Sequence, residues 1–146
     1  MGERIERKFN ECIKEGKVKK FAGAKRLTGK ELKVAASDLA VAREGLNKNQ
    51  WKWSTIQAYY SMFHTARALL FSAGYREKSH FCLRVAIEAL FVSSGKISEK
   101  FVDAFQTAKT MRENADYEEN FSQSGARKLV SLAEEFLLAA EQLLTA

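Results

Sequence analysis

With 146 residues, 46% of them hydrophobic, the chain is long enough for one domain with a real core and too apolar for global disorder. Charge breaks the apolar runs within a few residues, which leaves no stretch suited to a transmembrane span. The net charge of +6 is unevenly placed: residues 1–33 hold eleven Lys/Arg and five Glu, and the remainder holds thirteen of each sign. A basic end of this kind suits nucleic acid or an acidic protein; it is also what a solvated helix face looks like.

Proline is absent and no strict apolar–polar alternation occurs, so the expected fold is all-α, an up-and-down bundle of five to six helices. The opening residues Met1 to Lys8 lack the apolar core of a signal peptide. Cys12 and Cys82 fall on apolar helix faces without a CxxC partner, which predicts buried free thiols in a reducing cytoplasm. Two histidines, His64 and His80, are too few for a zinc site, and neither metal nor cofactor is expected.

In chain order, Ile5, Phe9, Cys12 and Ile13 predict a helix with one buried edge over about residues 2–20. Gly23, Gly29 and crowding basic residues mark Lys17 to Lys30 as a connector, so residues 1–27 form a basic helix and connector and 28–146 the bundle domain. Thr28 with Glu31 reads as a capping box for a second helix facing inward through Leu32, Ala35, Leu39, Ala42 and Leu46. Asn47 to Gln50 is a short polar turn, which makes the second and third helices antiparallel neighbours. Trp51 and Trp53 anchor the start of the third helix. That helix, which ends at Gly74, carries one stripe through Ile56, Tyr59, Phe63, Ala66 and Leu70. A second stripe holds Tyr60, His64, Arg67 and Phe71. Ser79 caps a fourth helix, Ser98 a fifth, and Ser122 or Ser124 the last.

Two clusters bear chemistry. His64 and Arg67 join Lys78 and His80 at a helix start, where unpaired N–H groups favour an anion such as phosphate. The opposing reading makes His64 a partly buried, hydrogen-bonded histidine and pairs Arg67 with a carboxylate across the bundle. The second cluster is Arg112, Asp116 and Tyr117. Arg112 and Asp116 are four apart and suit an ion pair, or Asp116 orients a guanidinium that grips phosphate in two-point fashion.

The block Ala58-Tyr59-Tyr60-Ser61-Met62-Phe63-His64-Thr65-Ala66-Arg67, then Lys78-Ser79-His80, then Arg112-Glu113-Asn114-Ala115-Asp116-Tyr117, resembles the small prokaryotic HEPN proteins (higher eukaryotes and prokaryotes nucleotide-binding). The resemblance implies a helical bundle that dimerises and is paired with a small nucleotidyltransferase as a toxin–antitoxin or defence system. It also implies a metal-independent ribonuclease motif: Arg, four to six residues, then His. Here Arg112 is followed after four residues by Tyr117, and no histidine stands at that spacing. A phenol of pKa about 10 is a poor base at neutral pH. The first expectation is therefore a homodimer that binds RNA or nucleotide through Tyr60, His64, Arg67, Lys78, His80, Arg112, Asp116 and Tyr117. The alternatives are an endoribonuclease that uses Arg112, Tyr117 and His64 or His80, and a non-catalytic protein-interaction subunit.

Overall fold

The computed structural model describes residues 2–115 and 121–145. Helix α3 (Trp51–Ser72) is the hub, touching α2 (Ala24–Asn47), α4 (His80–Ile87), α5 (Glu99–Glu113) and α6 (Gln123–Leu144). It can be surrounded because its apolar residues are joined by small hydroxyl residues that satisfy themselves locally. Thr55 and Thr65 donate to the carbonyls of Trp51 and Ser61, one turn back. Ser61 instead donates 2.8 Å across to the Ala35 carbonyl of α2. That bond needs two backbones close together, which the alanines of α2 permit: Ala35 and Ala42 are completely buried. The stripe of α6 through Leu129, Ala133, Phe136, Leu137 and Ala140 closes the other side.

Caps behave as their side chains dictate. The Oγ atoms of Ser79, Ser98 and Ser122 accept from the N–H groups of Cys82, Lys100 and Gly125. Gly74, at φ +87°, takes the left-handed turn after α3 that a side chain would resist. Helix α4 passes into a π-helical turn, Glu88–Val92. Among the described residues no helix is long and apolar enough to cross a membrane.

Several expectations need correction. Helix α2 begins at Ala24, so residues 24–27 are helix rather than connector, and Thr28 lies inside the helix instead of capping it. Glu31, the other half of the expected capping box, is turned toward α3. A small β ribbon exists: β1 (Val18–Lys20) pairs antiparallel with β2 (Tyr75–Glu77), Val18 opposite Glu77, Lys19 opposite Arg76 and Lys20 opposite Tyr75. Two more bonds lengthen it, Lys78 N–H to the Lys17 carbonyl and Phe21 N–H to the Gly74 carbonyl.

Cys12 and Cys82 are not free thiols: they form a disulfide, with Cα atoms 5.8 Å apart. Helix α1 (Gly2–Lys14) lies against α4 and the π turn, and that packing brings the two sulfurs together. The same rotation of α1 leaves Ile13, expected inside, 40% exposed. Trp51 packs against the core as expected of an anchor, while Trp53 is 57% exposed with the Lys52 ammonium over its ring.

Candidate nucleic-acid interface

The last turn of α5 carries Arg112 to the surface beside α3. Its Nε donates to the Tyr60 hydroxyl at 3.0 Å. The guanidinium carbon lies 5.4 Å from the Tyr60 ring centre and 5.8 Å from that of Tyr59. Tyr59 and Tyr60 meet edge to face, 5.2 Å apart, so the guanidinium rests on a rigid aromatic bracket. With Nε donating to Tyr60, the two terminal nitrogens make no hydrogen bond or ion pair to another of the described residues. Two parallel N–H groups are what a phosphate oxygen pair accepts. The hydrogen bond to Tyr60 further favours the charged form of Arg112.

Helix α3 carries the stripe onward from Tyr60 to His64 and Arg67, but there the neighbours are acids. Helix α2 presents Glu31, whose Oε2 is 2.5 Å from His64 Nδ1 and whose Oε1 is 3.3 Å from Arg67 Nη1. Glu77 of β2 takes Arg67 Nε at 3.2 Å. Burial alone would raise the Glu31 pKa; the hydrogen bond from His64 and the charge of Arg67 outweigh it and hold the carboxyl below its usual range. An ionised carboxylate only accepts, so His64 Nδ1 carries the proton and donates. His64 Nε2 then faces Asp38 Oδ2 at 4.0 Å, a carboxyl whose pKa burial raises against the pull of His64. Arg67 is shared between two carboxylates, as the opposing reading of that pair had it.

His80 sits inside the aromatic layer, 4.5 Å from the Phe105 ring centre and 6.0 Å from Tyr59. Burial, with Lys109 and Arg84 nearby, pushes its pKa down to about 4, so the ring is neutral at pH 7. Its Nε2 is buried without a hydrogen-bond partner among the described residues. Lys78 is elsewhere, on the exposed β ribbon. The eight predicted residues thus separate: Tyr60 and Arg112 together, His64 and Arg67 in an acidic network, His80 half-buried against Phe105 and Tyr59, Lys78 on the ribbon. Asp116 and Tyr117 lie outside the described residues. Sequence reasoning did not bring in Tyr59 and Glu31 as partners; Tyr59 stood on the buried stripe, and its edge contact with Tyr60 carries no sequence signal. Among the described residues no group of three His, Cys, Asp or Glu is placed to hold a metal.

A protein-family model described as HEPN domain matches residues 30–143, most of the chain. The chain belongs to the HEPN family. The elements from α3 onward, α6 up to its last residue, fall inside the HEPN match with most of α2, and α1 and β1 precede it. A curated relative from Methanocaldococcus jannaschii, named "Putative toxin MJ0605", is 27% identical over 86 residues, 59% of this chain. The matched part is 64% of that relative, so the alignment spans less than two thirds of its length.

Proposed function

We propose that this HEPN protein is an RNA- or nucleotide-binding homodimer, the toxin-type half of a cytoplasmic toxin–antitoxin or defence pair whose other member is a small nucleotidyltransferase. The observation that carries the binding reading is the exposed Arg112 guanidinium, propped on Tyr59 and Tyr60 through its Nε. A planar cation on aromatic rings suits a phosphate beside a stacked base. The named relative supports the toxin side of the reading. Binding is favoured over catalysis because no histidine follows Arg112 after four to six residues, and His80, with a pKa of about 4, is far from the near-neutral value that suits a general base.

The test is incubation of labelled tRNA and mRNA with purified protein in EDTA, beside Arg112→Ala. Retention of intact RNA, weakened about tenfold or more by the substitution, is the expected result; a charge-assisted contact of roughly 1.5–3 kcal/mol gives that much. Cleavage that persists in EDTA and vanishes in Arg112→Ala would replace binding by catalysis. RNA retention equal in both proteins would remove Arg112 from the interface and leave the interaction-subunit reading.

A further inference from the structure

The ribbon presents one face that the HEPN site does not use. Side chains alternate along a strand, so Lys17, Lys19 and Phe21 share a face. The pairing puts Arg76 opposite Lys19, and the flanking backbone bond puts Lys78 opposite Lys17. The other face is the anchored one: Val18 is completely buried, and Glu77 opposite it is taken by Arg67. The outward face therefore carries four cations and one aromatic ring. Arg76 lies diagonally over Phe21, its guanidinium carbon 5.6 Å from the ring centre. An open groove of about 640 Å³ is lined by Lys19, Lys20, Phe21, Arg76, Glu77 and Lys78.

Like charges directly opposite one another weaken a strand pair, and a two-stranded ribbon is marginal to begin with. Among the described residues, Lys17 has Glu15 at 3.3 Å, while Lys19, Lys20, Arg76 and Lys78 have no carboxylate within ion-pair distance. A face meant only for solubility does not need its cations set in opposed pairs. We propose that this outward face is a second polyanion site, a platform for the phosphate backbone of single-stranded RNA. Lys19, Arg76 and Lys78 hold phosphates, and Phe21 stacks a base beside the Arg76 guanidinium. The aromatic ring within the cationic row is what favours a nucleic acid over an acidic polypeptide. Half of the face comes from residues before the HEPN match, which begins at residue 30.

The experiment measures anisotropy of a fluorescein-labelled oligouridine strand against salt, with the full chain, a Lys19→Gln/Arg76→Gln/Lys78→Gln variant, Phe21→Leu, and Arg112→Gln. The three-fold variant is expected to bind roughly tenfold more weakly at low salt. Its plot of log affinity against log salt should be shallower by about 0.7 per lost phosphate contact, close to 2 in all. Phe21→Leu is expected to weaken binding without changing that slope. Thermal melts should show the three-fold variant folded and no less stable, since a repulsion has been removed; Arg76→Gln alone is the fallback, with about one third of the slope change. An unchanged slope in the three-fold variant overturns the ribbon site, even where Arg112→Gln abolishes binding. Loss in the ribbon variant with none in Arg112→Gln overturns the Arg112 reading instead. Absence of RNA binding by the parent chain overturns both, and displacement of RNA by oligoglutamate at equal charge concentration would reassign the face to an acidic polypeptide.

Discussion

His80 shows what the interior of this bundle does to an ionisable side chain. Enclosed by Tyr59 and Phe105 and near Lys109 and Arg84, it is neutral in the fold with a pKa of about 4, against 6.5 for a free histidine. Between those values the unfolded chain holds a proton that the folded chain does not, so stability must fall as pH drops through that window. The ring is only partly enclosed, so the cost is discounted for solvent to on the order of 1–2 kcal/mol by pH 4. Urea unfolding at a series of pH values should show this slope, and His80→Leu should flatten it. A slope that survives in His80→Leu would remove His80 as its source. At this scale Arg112 was singled out by its cluster with Asp116 and Tyr117 and by the HEPN resemblance, while its contact with Tyr60, 52 residues away, had no sequence signal. The fate of His64 and Arg67 was not legible in the sequence. Both depend on Glu31, which stands thirty-three residues from His64 and whose spacing from Thr28 signalled a cap.

Among the elements, α2 and α3 lie close together at Gly45. A Cβ there would overlap the Oγ of Ser54, a buried hydroxyl without a partner among the described residues. Gly45→Ala gains about 1 kcal/mol of helix propensity and loses about 1–3 kcal/mol to the overlap. The overlap should win, with a net loss of about 1 kcal/mol in denaturant unfolding. In a Ser54→Ala background the same substitution should become neutral or stabilising, a coupling that a double-mutant cycle reads directly. Helices α3 to α6 and their caps were readable because periodicity and Ser Oγ chemistry are local. The ribbon was not: its strands are three residues each, too short to alternate visibly, and they pair across more than fifty residues. Nothing local marks Val18 as a residue that will be completely buried.

For the whole molecule, the disulfide between α1 and α4 is the long-range tie. It spans 70 residues of sequence, and loop-closure entropy for a ring of that size amounts to about 4 kcal/mol in the chain-entropy treatment. Reduction with dithiothreitol should lower the melting temperature of the parent chain, and Cys12→Ser/Cys82→Ser should melt at the reduced value with or without reductant. A melt indifferent to reductant would show that packing alone holds α1. The spacing of Cys12 and Cys82 offered no hint of this, because only the docking of α1 on α4 brings them together.

That bond also alters what a single cut can release. Residues 13–81 form a covalent ring with the sulfurs as its clasp, and the turn Lys48–Gln50, with Asn49 at φ +58°, lies on that ring. A protease that opens the chain there leaves two pieces still joined under oxidising conditions. The basic first segment would then travel with α4, and only a reductant would let the two halves run apart on a gel.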